Sequence, residues 1–385
     1  MSFFGYKRND GKVGTRNYIG VLSLVSCAND VAWKISQKVN GSALFIHSHG
    51  CCEIKTDLEE TAKTLISLSC NPNLAGVLLI SLGCESLNIE MIANKISEFG
   101  KHVEKIIIQK SGGATKAVNK GIELVKKMAG QAALIERTLF DDSEIVLGIK
   151  CGASDTTSGL ISNPVAGLLC DNIIDKKGTC VFGETTEFIG AEHIFTRRAE
   201  TKEIGKKIEK IVTRLENRFK ATGFDMRGSQ PTRGNIEGGL TTIEEKSLGA
   251  ISKSGSRAIN GVCEYGEIVK NKGLYIVDTP GREPEFLTAL AAAGANIIVF
   301  TTGIGAPQGF PFIPVIKVTG NYNTYKNLKE HIDFYVNINS KNKEIRTASD
   351  KLFQKVLKVT SGERTKAEIL EYGNFPNIWT MGPVI

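Results

Sequence analysis

The feature that most constrains the fold is a regular alternation of short apolar runs and amphipathic segments in the first third of the chain. Strands are predicted at 18–25, 43–47, 74–82 and 103–109, and helices at 29–39, 58–69, 89–99 and 112–129. Strands that alternate with helices at this spacing form parallel, doubly wound sheets. Because ligands bind at the carboxyl ends of the strands in such sheets, the turns after the first three strands are candidate binding sites.

The rest of the chain continues the same pattern with longer connections. Strands are predicted at 144–150, 179–183, 274–278, 296–301 and 314–318, helices at 163–169, 185–200, 203–221 and 285–293, and a glycine-rich loop at 223–239. The segment 132–143 is interpreted as a connector. The expected fold class is α/β, with a doubly wound parallel-sheet domain over 1–135 and a larger α/β domain over 136–385. No segment is typical of a long flexible linker, so the two domains are expected to pack tightly.

Composition argues against several classes of protein. The net charge of +7 is spread over mixed-charge helices such as 202–220, which indicates solvated faces rather than a nucleic-acid-binding surface. No apolar run approaches the ~18–20 residues of a membrane-spanning helix, and the N-terminus lacks the pattern of a signal peptide. A cytoplasmic protein is therefore predicted. Its nine cysteines lack regular spacing, so they are expected to be reduced rather than paired in disulfides.

A polar turn follows the predicted strand that ends at Lys150. Cys151, Ser154 and Asp155 lie in this turn, together with further hydroxyls and glycines. Backbone N–H groups and hydroxyls before a helix can bind an anion such as a carboxylate. The alternative is an ordinary helix cap with spare hydroxyls, but a cap does not explain the adjoining lysine and cysteine.

A second polar turn follows the strand at 179–183. Glu184, Glu187 and His193 lie in it or in the helix after it, and carboxylates with imidazole suit Fe²⁺ or Mn²⁺. The alternative is that these acidic residues complement the positive end of the helix. His49 and Cys51 form a third, weaker candidate, because both residue types bind iron or zinc.

The run Gly234–Gly249 is unlike a core strand or an ordinary amphipathic helix, since glycines, threonines and glutamates are concentrated in sixteen residues. Glycines allow close approach of the backbone to a ligand, and the hydroxyls and charges provide directed contacts. Thr301 and Thr302 precede another glycine-rich turn. Neither the spacing of a dinucleotide fingerprint nor a phosphate-binding loop is present, so NAD and ATP are not expected as cofactors.

Taken together, these motifs resemble the altronate/galactarate dehydratase family, through nearly the whole chain. The matching segments are Gly5–Tyr18, His49–Cys51, Gly83–Glu85, Lys150–Asp155, Glu184–Glu187, Gly190–His193, the central glycine run and Phe300–Gly303. The resemblance implies a dehydratase that removes water from a sugar acid such as altronate to give a 2-keto-3-deoxy acid. It also implies iron dependence. Single-chain relatives carry a small N-terminal domain of the SAF type, so this chain resembles a large subunit or catalytic core that lacks that domain.

The mechanism implied by the resemblance is metal-assisted removal of the proton next to the carboxylate, followed by loss of the neighbouring hydroxyl. We expect Lys150 to be the base or a carboxylate partner, with burial next to a cation lowering its pKa. The expected acid is Glu244 or Glu245. The expected metal ligands are Glu184, Glu187 and His193, with His49 as a further candidate. Substrate contacts are expected from Ser154, Asp155, Asn235, Thr241, Thr242, Thr301 and Thr302.

Three alternatives stay open at the level of the sequence. Cys51, Cys84 and Cys151 follow three predicted strands and could hold an iron–sulfur cluster. The family also includes a sulfolactate sulfo-lyase, so a sulfonate is a second possible leaving group. A non-catalytic sugar-acid-binding subunit is the third. The expected partners are a small-molecule sugar acid, a separate small SAF-domain subunit and further copies of the chain.

Overall fold

The computed structural model describes residues 1–223, 230–337, 342–373 and 376–382. Part of the predicted glycine-rich loop, residues 224–229, lies outside the described residues. The first domain follows the predicted alternation closely. Its parallel sheet consists of β3 (Tyr18–Ser23), β4 (Ser42–Phe45), β5 (Leu74–Ser81) and β6 (His102–Ile107), in the order β4-β3-β5-β6. The helices are α1 (Asn29–Ser36), α2 (Lys55–Ser69), α3 (Ile89–Glu98) and α4 (Ala114–Ala133).

Helices cover both faces of this sheet, because both faces of its central strands are apolar. Val21 and Ile80 pack with α1 and α4, whereas Leu22 and Leu79 face α2 and α3. Val21 is in register with Leu44 on one side and Leu78 on the other. The doubly wound parallel sheet predicted for this domain is therefore confirmed.

A seven-stranded parallel sheet dominates the second domain, as far as the described residues show. Its strands are β8 (Val146–Gly152), β9 (Thr179–Phe182), β10 (Ile259–Cys263), β11 (Gly273–Val277), β12 (Ile297–Thr302), β13 (Val315–Thr319) and β14 (Phe334–Tyr335), in the order β10-β11-β9-β8-β12-β13-β14. The helices are α5 (Asn163–Asp175), α6 (Glu192–Arg198), α7 (Lys202–Ala221), α8 (Arg233–Glu237), α9 (Ile243–Ile251), α10 (Glu283–Ala292), α11 (Tyr322–Asn327), α12 (Asn342–Thr360) and α13 (Lys366–Ile369).

A small antiparallel sheet joins the ends of the first domain. It comprises β1 (Ser2–Lys7), β2 (Val13–Gly14) and β7 (Thr138–Asp141), with β1 in the centre. The predicted connector 132–143 is thus partly a strand. The alternation of apolar and polar residues in β7 is too short to distinguish this strand from a loop in the sequence. Its partner strand, β1, lies more than 130 residues away in the chain, as the pairing of Phe3 with Phe140 shows.

One of the buried apolar clusters spans both domains. Leu65 and Leu68 of α2 belong to the same buried cluster as Phe286 and Leu290 of α10. Because α2 and α10 each cover their own sheet, their mutual packing brings the two sheets into one continuous structure. The tight packing expected from the absence of a linker is observed.

Two local predictions were wrong. The predicted helix 185–200 is a 3-10 turn at Thr185–Glu187 followed by α6, and Gly190, with φ +82°, separates them. The central glycine run is mostly helical, since it forms much of α8 and α9, with Thr242 capping α9. Short helices with glycine at their ends lack the long apolar stripe by which helices are recognised. Among the helices in the described ranges, none combines the length and apolar composition needed to cross a bilayer.

Candidate active site

The centre of the candidate site is a buried ion pair at the carboxyl edge of the larger sheet. Lys150 lies near the end of β8, beside Phe300 of β12, and Glu184 follows β9 in a left-handed conformation with φ +70°. Lys150 Nζ donates to Glu184 Oε1 at 2.5 Å and to the Cys151 carbonyl at 2.8 Å. Adjacent parallel strands bring the two residues together although they are 34 positions apart in the chain.

A second lysine extends this pair into a row of alternating charges. Lys253 lies in the 3-10 turn that follows α9, and its Nζ donates to Glu184 Oε2 at 2.5 Å and to Glu187 Oε2 at 2.7 Å. The side chains of Lys150, Glu184 and Lys253 are each 1% exposed, and that of Glu187 is 6% exposed. We refer to Lys150, Glu184, Lys253 and Glu187 as the lysine–glutamate array.

Burial and charge act in opposite directions on the pKa values of the array. Burial alone would lower the pKa of Lys150, but the carboxylates of Glu184, Glu283 and Glu187 outweigh burial and raise it. The pKa of Lys253 is raised by Glu184 and Glu187 against the same effect of burial. The expectation that a neighbouring cation lowers the pKa of Lys150 was wrong, because its close neighbours are carboxylates.

The two glutamates differ from each other. Burial, reinforced by the charge of Glu187, raises the pKa of Glu184 above its ordinary value despite its two lysine partners. Burial also acts to raise the pKa of Glu187, but Lys253 and other lysines outweigh it and lower that pKa. Neighbouring groups whose pKa values are displaced in opposite directions are typical of acid–base sites. Glu184 is therefore the carboxyl group best suited to exchange a proton.

The observed array does not fit a metal ion. Both oxygens of Glu184 and one of Glu187 accept hydrogen bonds from ammonium groups, which would repel a cation. His193 is exposed on the first turn of α6, and His49 lies in the other domain. No group of three or more His, Cys, Asp or Glu residues in the described ranges is placed to hold a metal ion. Metal binding by Fe²⁺ or Mn²⁺ stays a prediction.

Asp155 holds the turn after β8 together through its hydrogen bonds. Its Oδ1 accepts hydrogen bonds from Thr157 Oγ1 at 2.7 Å and from the Ser158 amide at 2.9 Å, and its Oδ2 accepts one from Asn321 Nδ2 at 2.7 Å. A Cβ atom at Gly303 would lie 2.2 Å from Asp155 Cγ. The carboxylate thus fixes the turn after β8, and the absence of a side chain at position 303 makes room for it.

The other predicted substrate contacts fall into a buried group around this turn. Ser154 Oγ is 2.9 Å from Cys151 Sγ, and Asn235 Nδ2 donates to the Ser154 carbonyl at 2.8 Å. Thr301 Oγ1 lies 2.6 Å from Asn163 Oδ1, and Thr302 Oγ1 accepts from the Gly305 amide at 3.0 Å. These contacts position the turns around the array.

Four predicted residues lie at the start of α9, and three of them, Thr241, Thr242 and Glu245, have capping geometry. The Thr242 hydroxyl accepts from the Glu245 amide at 3.1 Å, and Glu245 Oε2 accepts from the hydroxyl and amide of Thr241. The hydrogen bonds from Thr241 lower the pKa of Glu245, which keeps it ionised and unsuited to donate a proton. Glu244 lies against Gly190, which separates the turn that carries Glu187 from α6.

The three predicted cysteine ligands do not form a metal-binding group among the described residues. Cys51 and Cys84 are exposed in the first domain, whereas Cys151 is buried beside Ser154 in the second. His49 is held by Glu53, with 2.6 Å between Nδ1 and Oε1, and its Nε2 is buried without a hydrogen-bond partner in the described part of the chain.

The sequence did not predict three residues of the site: Lys253, Asn163 and Asn321. Lys253 follows α9 in a stretch of small and apolar residues, Gly249–Gly255, where a lone lysine is an available signal. The two asparagines give no such signal, since each also begins a helix or caps one. Their roles become visible only when Asn163 contacts Thr301 and Asn321 contacts Asp155.

Comparison with known proteins places both domains in one family. Residues 5–133 match the model described as D-galactarate dehydratase/altronate hydrolase, second domain, and residues 142–384 match D-galactarate/altronate dehydratase, C-terminal. The (2R)-sulfolactate sulfo-lyase subunit beta of Chromohalobacter salexigens is 35% identical over 97% of this chain and 96% of that protein.

Two dehydratases show similar levels of identity. The altronate dehydratase of Bacillus subtilis is 32% identical over 86% of this chain and 68% of its own length. The galactarate dehydratase (L-threo-forming) of Escherichia coli is 30% identical over 94% of this chain and 73% of its own length. All three relatives are named as lyases or dehydratases. The chain belongs to the D-galactarate/altronate dehydratase family.

Proposed function

We propose that this chain is the catalytic subunit of a lyase that acts on a small 2-hydroxy carboxylate. The observation that carries the proposal is the buried lysine–glutamate array at the carboxyl edge of the larger sheet, where ligands of parallel sheets bind. Ammonium groups suit a substrate carboxylate, and a carboxyl group with a raised pKa suits proton transfer. Family membership supports the reaction class, because the named relatives are dehydratases and a sulfo-lyase.

The proposed reaction is the same for both kinds of leaving group. The C2–H bond breaks and its electron pair forms a C2=C3 double bond, while the substituent on C3 leaves with its bonding pair. The resulting enol takes a proton at C3 and becomes a 2-oxo acid. Hydroxide, protonated to water, leaves from a sugar acid, and sulfite leaves from sulfolactate.

Within this scheme we assign the proton transfer to Glu184. The pKa of Lys150 is raised, so Lys150 remains an ammonium group, whereas the pKa of Glu184 is raised towards the range of a general base. A substrate carboxylate that binds Lys150 would replace Glu184 Oε1 and free that oxygen to accept the C2 proton. Lys253, which contacts both glutamates, would hold the remaining charge.

Dehydration of a sugar acid is the first candidate reaction. Desulfonation of sulfolactate is the second, and a specific observation favours it: the similarity to the sulfo-lyase subunit extends over 96% of that protein. Since that relative is named a subunit beta, we also propose that this chain works with a second, different subunit. The mechanism is tested in the same way for either substrate.

The test is to isolate the tagged chain from its own cells, with any associated subunit, and to incubate it in D₂O with altronate, galactarate or (2R)-sulfolactate. NMR reports the 2-oxo acid and the exchange of the C2 proton, and a colorimetric assay reports sulfite. We expect one substrate to react. We expect Glu184→Gln to bind that substrate with turnover and C2 exchange reduced at least ~100-fold.

Glu98→Gln, which changes an exposed carboxylate in the first domain, is the matched control and should react like the unaltered chain. Retained C2 exchange in Glu184→Gln would show that another group takes the proton. An isolated complex that neither reacts with nor exchanges any of the three acids would overturn the proposed reaction. Sulfite release without dehydration would establish the second candidate.

A further inference from the structure

Two consecutive cysteines lie side by side on the surface of the first domain. Cys51 Sγ and Cys52 Sγ are 3.6 Å apart, and both residues are exposed. The backbone of Cys52 is left-handed, with φ +57°, which is uncommon for a residue with a side chain. Strained backbone of this kind is concentrated at functional sites. The acid–base mechanism proposed above makes no use of this pair.

Hydrogen bonds on both sides hold the turn that carries the pair. Glu53, which follows the pair, binds the two residues that precede the pair. Its Oε1 lies 2.6 Å from His49 Nδ1, and its Oε2 accepts a hydrogen bond from the Gly50 amide at 3.1 Å. The Gly50 carbonyl in turn accepts from the Ser86 amide at 3.2 Å, in the turn after β5. The two sulfur atoms are therefore kept close by a braced turn.

We propose that Cys51 and Cys52 are a redox-active dithiol that closes to a disulfide between neighbouring residues by exchange with a small-molecule disulfide. The thiolate of one cysteine attacks the small disulfide, forms a mixed disulfide and releases one thiol. The second cysteine then attacks the mixed disulfide and releases the other thiol. In sum, two protein thiols are oxidised to one disulfide, and one small disulfide is reduced to two thiols.

To bond, the sulfur atoms must approach from 3.6 Å to about 2 Å. This movement shifts the turn between Gly50 and Glu53, and so links the redox state of the pair to the orientation of His49.

The experiment is to expose the native chain to oxidised glutathione at pH 8, block remaining thiols and map the peptides by mass spectrometry. We expect the peptide with Cys51 and Cys52 to lose two hydrogens and carry no glutathione. Cys27 and Cys84 are matched controls, since both are exposed, and we expect them to keep a glutathione adduct or a free thiol. In Cys52→Ser, Cys51 should instead keep the adduct.

A glutathione adduct that persists on Cys51 or Cys52 in the unaltered chain would overturn the proposal. So would pairing of either residue with Cys27 or Cys84.

Phenylarsine oxide, which bridges two close thiols with loss of water, tests the geometry independently. It should bind the unaltered chain at least ~10-fold more tightly than Cys51→Ser or Cys52→Ser. A chain that binds the arsenical through both sulfur atoms but never loses two hydrogens would possess the dithiol without the redox chemistry, and the proposal would be wrong.

Discussion

At the scale of single residues, Lys253 is the lysine that contacts both buried glutamates of the array. It contacts Glu184 and Glu187, and all three side chains are nearly inaccessible to water. Removing one partner of a buried ion pair leaves an uncompensated charge and typically costs ~3–5 kcal/mol. We therefore expect Lys253→Met to lower the free energy of unfolding by about that amount at neutral pH, as measured by urea denaturation.

The same variant should show a characteristic pH dependence. Lys253 helps to hold the pKa of Glu187 below its ordinary value of 4.5, so ionised Glu187 contributes stability above that pH and loses the contribution as the pH falls. The loss of unfolding free energy in Lys253→Met, relative to the unaltered chain, should thus be largest at neutral pH and should become smaller below about pH 4.5. Lys210→Met, at an exposed position of α7, is the control and should change stability by less than ~0.5 kcal/mol. A loss of unfolding free energy that is independent of pH would mean that the substitution removes packing contacts rather than a charge interaction.

The sequence predicted three members of the array as site residues, Lys150, Glu184 and Glu187, and did not predict the fourth, Lys253. Lys150 lies near the end of β8 and Glu184 follows the adjacent parallel strand β9, so their meeting at the carboxyl edge of the sheet follows from topology alone. Lys253 lies on a turn after α9, and no periodic pattern predicts where that turn packs. The pKa of Lys150 could not be predicted either, because its direction depends on which charges lie within a few ångströms.

At the scale of elements, the turn after β8 is fixed by close packing against glycine. A Cβ at Gly303 would collide with Asp155, whose carboxylate joins that turn to Asn321. We expect Gly303→Ala to displace the turn, to lower the free energy of unfolding by ~1–3 kcal/mol and to reduce turnover of whichever of the three candidate acids reacts. Thermal denaturation and kinetic assays check both effects.

Gly130 provides a matched control for that substitution. It is exposed within α4, and a Cβ there would meet nothing within 4 Å. Alanine has a higher helix propensity than glycine, so Gly130→Ala should stabilise the chain by ~0.5–1 kcal/mol. Equal effects of the two substitutions would contradict the close packing at position 303.

Elements with a sustained apolar period were predictable, and those defined by capping were not. The strands and helices of the first domain match their predicted positions within a few residues. The segment 185–200 was predicted as one helix because its composition favours helix, whereas Gly190 ends the first turn and α6 begins at Glu192. Glycine and a single left-handed residue override the helix propensity of their neighbours at such a point.

At the scale of the whole molecule, buried asparagines connect the two domains. Asn73 Nδ2 donates to the carbonyls of Asn296 and Phe312 at 3.0 and 2.9 Å, and its Oδ1 accepts from the Thr15 amide at 2.7 Å. One side chain thus satisfies backbone groups of both domains. Because a buried polar group without a partner costs ~1–3 kcal/mol, Asn73→Ala should weaken both sheets at once.

Hydrogen exchange measured by mass spectrometry tests this coupling directly. In Asn73→Ala we expect amide exchange to accelerate together in β3, which begins near Asn73, and in β12, which begins after Asn296. Asn9→Ala, which removes an exposed hydrogen bond to the Gly100 carbonyl, is the control and should leave both strands protected. Acceleration confined to β3 would show that the domains open independently. Joint acceleration would mean that the shared core maintains the larger sheet, and with it the array at its edge, in a single cooperative structure.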